Sequence, residues 1–145
     1  MRDLRELGIT EGKTPPPLGE AEFDEFARVA GLELPRALRQ LLAFSNGGHP
    51  RLDTFITPDG DEHGIGWFFF IGVGQNSLGD AIRDWRPILG PSALPFAIDQ
   101  GGDPFFIDLA DGSVCIWHHD PLGREFVAPS FEAFIDGLGW NEAYR

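Results

Sequence analysis

The sequence predicts an α+β fold with a mostly antiparallel sheet, and three observations carry that expectation. Helical periodicity is confined to the front of the chain, one inserted segment and the C-terminal end. Between them lie short runs rich in Phe, Ile and Val, cut by clusters of Gly, Asp and Pro. In particular, PFAI, PFFIDL and SVCIW within Pro95–Asp120 are separated by DQGGD and ADG, which reads as a three-stranded meander. Asp111-Gly112 supplies residues that tolerate the positive φ of a hairpin turn. Strands grouped apart from helices indicate α+β rather than alternating α/β.

The elements follow in order. Residues 1–19 contain MRDLRELGITEGK and then Thr14-Pro15-Pro16-Pro17, where three prolines enforce extended backbone. This stretch is expected to be an N-terminal arm, with 20–145 forming a single domain. Phe23, Phe26, Ala27 and Ala30 fall on one helical face, behind an acidic first turn and ahead of Gly31. A second helix opens at Leu34-Pro35, presents Leu38, Leu41 and Leu42, and ends at Asn46-Gly47-Gly48.

The period then changes. Leu52–Thr57 and Trp67–Val73 read as strands joined by a long acidic loop over residues 58–64. WFFFIGV lacks alternation, which predicts a strand covered on both faces. Ser77-Leu78-Gly79-Asp80 starts a third helix, which Pro87 is expected to close. After the meander, Arg124–Ala128 reads as a further strand. Ser130 caps a last helix carrying Phe131, Phe134, Ile135 and Leu138, with Gly139 as its stop.

At 145 residues the chain is long enough to bury roughly 68–70% of its unfolded surface without disulfides or a structural metal. Its single cysteine, Cys115, sits in a strand and excludes a disulfide framework, consistent with a reducing, cytoplasmic setting. No apolar run approaches the ~18 residues of a membrane span. Eleven basic and 23 acidic residues give a net charge of −12. Such a field repels nucleic acid and anionic membranes and attracts basic partners.

The chemical motifs fail on their spacing. Asp59-Gly60-Asp61-Glu62-His63-Gly64 imitates a calcium loop, but the bidentate Glu needed at its twelfth position is Phe70. Gly72-Val73-Gly74-Gln75-Asn76-Ser77 has Ser where a dinucleotide fingerprint needs its third glycine, and no βαβαβ alternation supports it. His118 and His119 are adjacent on a strand and point to opposite faces, and no third ligand stands at helical spacing from them. Cys115 is flanked by core residues, and no serine stands in a GxSxG context. No catalytic, cofactor-binding or metal-binding residue is expected.

The ordered set Leu34-Pro35 with Leu38, Leu41 and Leu42, then Ser45-Asn46-Gly47-Gly48, resembles the SUKH superfamily, which includes the fungal cell-wall-synthesis regulator (Smi/Knr) domain. Leu94-Pro95-Phe96-Ala97, Asp99-Gln100-Gly101-Gly102-Asp103 and Phe106-Ile107-Asp108-Leu109 continue the resemblance. So do Gly112-Ser113-Val114, Trp117-His118-His119-Asp120 and Ala128-Pro129-Ser130-Phe131 with Phe134. The resemblance spans residues 20–140. It implies a twisted sheet of about six strands flanked by helices, and a non-enzymatic protein-binding role without a cofactor. Bacterial members resemble immunity proteins that neutralise polymorphic toxins, often nucleases; the alternative is a regulatory scaffold.

A cognate toxin domain is therefore the expected partner of a monomeric protein. Candidate contacts are Asp59, Asp61 and Glu62 of the acidic loop, with a rim of Asp99, Asp103, Trp117, His118 and Asp120. Aromatic anchors within a charged rim suit tight interfaces.

Overall fold

The computed structural model describes residues 1–13 and 18–140. Two helices, α1 (Glu20–Ala30) and α2 (Arg36–Phe44), lead into strands β1 (Thr54–Ile56) and β2 (Glu62–Phe68). Helix α3 (Leu78–Leu89) precedes β3 (Ala93–Asp99), β4 (Pro104–Asp108), β5 (Val114–His119) and β6 (Leu122–Ala128), and α4 (Phe131–Gly137) follows. The six strands form one antiparallel sheet in sequence order, as α+β patterning and the resemblance both imply.

Local chemistry explains the helix ends. Gly31 takes φ 72° and its N–H donates to Ala27 O, which stops α1. Ser77 Oγ accepts from Asp80 N at 3.3 Å, and Ser130 Oγ from Ala133 N at 3.0 Å. Pro87 does not close α3, which runs two residues further to Leu89. A proline in the last turn removes one hydrogen bond and leaves the remaining turn intact.

The strand reading needs two corrections in the first hairpin. Its loop is short: Thr57 N donates to Asp61 O and Gly60 N to Thr57 O, so pairing resumes at Glu62. His63 and Gly64 are strand residues, opposite Phe55 and Thr54. The apolar run WFFFIGV leaves the sheet after Phe68, because Phe69 and Phe70 are buried by the turn into α3 while Val73 is 99% exposed. An unalternating run marks burial on both sides without deciding whether a strand or a turn provides it.

The expected N-terminal arm is also corrected as far as residue 13. Asp3 caps a 3₁₀ turn over Leu4–Leu7, and Leu7 is fully buried. The Arg2 guanidinium donates to Leu138 O at 2.7 Å, and Thr10 and Lys13 bridge His49 and Asn46. Gly48 makes this approach feasible, since a Cβ there would lie 2.5 Å from Thr10 O. The proline run at 14–17 lies outside the described residues.

Strand alternation sorts the sheet into two faces. Ile65, Phe105, Ile107, Val114, Ile116 and Val127 point to the main core beneath α1, α2 and α4. Phe134 is its hub, with ring centroids 5.1 Å from Phe55, 5.5 Å from Phe96 and 5.4 Å from Phe105. On the other face Phe106 and Cys115 pack with Leu89 and Ala93, against Trp85 and Trp117.

Candidate functional site

One end of the sheet carries polar groups where the core face runs out. Two residues beyond Ile65 on β2 stands His63, and two beyond Ile116 on β5 stands His118. Two before Val127 on β6 stands Glu125. A period of two therefore aims all three at the core face, at the rim of the hydrophobic cluster. Strands β3 and β4 lie between β2 and β5, so a flat sheet would hold those two strands about 14 Å apart. The rings of His63 and His118 are only 5.6 Å apart. The sheet curls to bring them together, and Phe105 of β4 meets His63 edge-on at 6.4 Å beneath them.

Glu125 is the centre of the group. Its Oε1 is 2.7 Å from His118 Nε2 and 3.2 Å from His63 Nε2. The second approach lacks hydrogen-bonding alignment, and His63 Nε2 is buried without a hydrogen-bond partner. Desolvation is the largest single influence on Glu125 and disfavours its ionisation. The hydrogen bond from His118, with the close approach of His63 and Asp61, overcomes it and holds the carboxyl below its ordinary value. Asp61, at the mouth, is pushed above the usual carboxylate range, chiefly by its hydrogen bond and repulsion with Glu125.

A second cluster adjoins the first. Asp103 is buried, with Oδ1 2.5 Å from His119 Nδ1 and Oδ2 3.7 Å from His118 Nδ1. His119 is raised above the ordinary imidazole value by its hydrogen bond to Asp103. The two histidines do point apart, and Asp103 sits between them. Asp99 Oδ1 accepts from Gly101 N at 2.9 Å and Asp103 N at 2.8 Å, which closes the β3–β4 turn.

The eight expected contact residues do not form one surface. Asp103 is corrected from rim to interior, because it satisfies the end of β5. Trp117 is half-buried on the opposite face from His118 and packs with the Phe106–Cys115 cluster, so alternation separates this pair. Asp59, Asp61, Glu62 and Asp120 are exposed, and Asp99 is half-buried. Of these, Glu62 and Asp99 line one cleft, with Asp53, Thr54, Gly64, Gln100 and Gly101. Asp53, His63 and Glu125 were not among the expected site residues. The available signal for the last two was their place in step with Ile65 and Val127.

Among the described residues, no helix is long and apolar enough to cross a membrane. A search of curated proteins found no match. The model of the SMI1/KNR4 family (SUKH-1) matches residues 17–137, from the start of α1 to the end of α4. That match covers most of the sequence and both helical ends of the sheet just described, and the chain therefore belongs to the SMI1/KNR4 family (SUKH-1).

Proposed function

We propose that this chain is a cytoplasmic, non-enzymatic immunity protein that binds and neutralises a cognate toxin through an acidic surface. Membership of a family that includes immunity proteins supports a protein partner. The observation that carries the reading further is the cleft between the β1–β2 hairpin and the β3–β4 turn. Asp53, Glu62 and Asp99 line it, and no Lys or Arg is among its lining residues. With a net charge of −12, that cleft suits a basic surface such as the substrate channel of a nuclease. Occupying such a channel blocks it without any chemistry by the inhibitor.

Co-expression with the toxin domain encoded beside the gene tests this. Growth rescue by the wild-type chain, together with a salt-sensitive complex in purified form, is the expected result. Absence of both protection and binding would sink the immunity reading and favour a regulatory scaffold, whose partner would be a host protein.

A further inference from the structure

We propose that His63, His118 and Glu125 form a binding site for a divalent transition-metal ion, Zn²⁺ in the first instance. Two imidazoles and one carboxylate are a donor set suited to zinc, with a fourth position left open. One ligand atom from each residue lies within 4.8 Å of the other two. A tetrahedral zinc with bonds of about 2.0–2.1 Å needs donors roughly 3.3–3.4 Å apart. The His63–Glu125 separation of 3.2 Å already matches, and His118 and Glu125 at 2.7 Å need to part by about half an ångström.

The surroundings favour an ion over a plain hydrogen-bonded cluster. His63 Nε2 is buried and makes no hydrogen bond, so its lone pair can be engaged without displacing a partner. The Asp103 carboxylate stands 3.7 Å from His118 Nδ1, on the side of the ring away from Glu125, and would have to close by about 0.7 Å to orient a ligating imidazole by a hydrogen bond. All three donors stand on strands, and Phe105 closes the floor. The side chains of His63, His118 and Glu125 are 11%, 28% and 26% exposed, which leaves an entry path.

Local spacing hides this site, because its donors come from three strands and from residues 63, 118 and 125. A bound ion would tie β2 to the β5–β6 hairpin across the curl of the sheet. It requires no toxin, and so stands independently of the partner reading.

The test titrates chelator-treated, tag-free protein with ZnCl₂ by calorimetry near neutral pH, and with CoCl₂ by visible absorption. Expected are one equivalent of Zn²⁺, a tetrahedral Co²⁺ spectrum that Zn²⁺ abolishes, and a higher melting temperature with metal. His118→Gln and Glu125→Gln should each weaken binding by on the order of 100-fold, while the exposed-acid variant Glu62→Gln retains it. Circular dichroism and metal-free melting establish that each variant is folded. Should His118→Gln fail to fold, the isosteric Glu125→Gln carries the comparison. No saturable 1:1 uptake, weak uptake at many sites, or full affinity in folded Glu125→Gln would overturn the proposal.

Discussion

His118 Nε2 lies 2.7 Å from Glu125 Oε1 across the β5–β6 pair, although the residue directly opposite His118 is Gly123. The contact is diagonal: Glu125 stands opposite Ile116, one step nearer the core. The His118 ring leans along this diagonal toward Glu125 and His63. That diagonal is how a sheet rim gathers titratable groups that no sequence neighbour supplies.

The N-terminal segment belongs to the core, which Leu7→Ala tests. Leu7 is fully buried, so truncation should cost about 2–5 kcal/mol through lost burial and a cavity. Denaturant unfolding measures it as a lower midpoint with an unchanged slope. A change under about 0.5 kcal/mol, the range of neutral surface substitutions, would return the segment to a loose arm.

Gly137→Ala should destabilise the protein, against ordinary helix preference. Replacing Gly by Ala within a helix normally gains up to about 1 kcal/mol. Here the new Cβ would sit 2.5 Å from the Phe55 ring, which is buried and stacked on Phe134. Overpacking of this kind costs typically about 1–3 kcal/mol and should dominate. A thermal melt at or above the wild-type value would show that Phe55 moves freely.

Acid stability should depend on Asp111. Its carboxylate accepts from Ser113 N at 2.9 Å and Ser113 Oγ at 2.7 Å, and these bonds hold its pKa below the ordinary value. A group lowered in the folded state adds stability above its unfolded pKa of about 3.9 and loses it as pH falls through the folded value. Asp111→Ala should therefore flatten part of the stability loss below about pH 4 and lower stability at neutral pH. Chemical unfolding at stepped pH reads both effects, and parallel wild-type and variant profiles would count against the turn's contribution.

If the acidic cleft steers a basic partner, Glu62→Lys should slow association without unfolding the chain. Glu62 is exposed on β2 and lines that cleft. Stopped-flow rates should differ most near ~0.1 M ionic strength, where the screening length is about 10 Å, and converge near ~1 M, where it is about 3 Å. Equal association rates at low salt would place the docking surface elsewhere.

Much of the fold was legible because it rests on local rules. The amphipathic faces of α1 and α4, the Ser77 and Ser130 caps and the Asp111-Gly112 hairpin each depend on residues within a few positions of one another. The same rules failed at WFFFIGV, where an apolar run records burial and not the element that provides it. They failed again at residues 1–13, whose anchoring through Arg2 and Leu7 depends on partners near residues 50 and 138.

Composition and short-range periodicity sufficed for the α+β class, the meander, the net charge and the lack of a disulfide framework. Which polar residues meet depends on long-range packing. His63 and Glu125 are 62 positions apart in sequence, and the curl of the sheet puts them 3.2 Å from each other. Asp103, expected at a binding rim, is buried through its bonds to His119 at the end of β5, and strand alternation puts Trp117 on the opposite face. Periodicity tells which face a residue takes, but curvature decides what stands across from it.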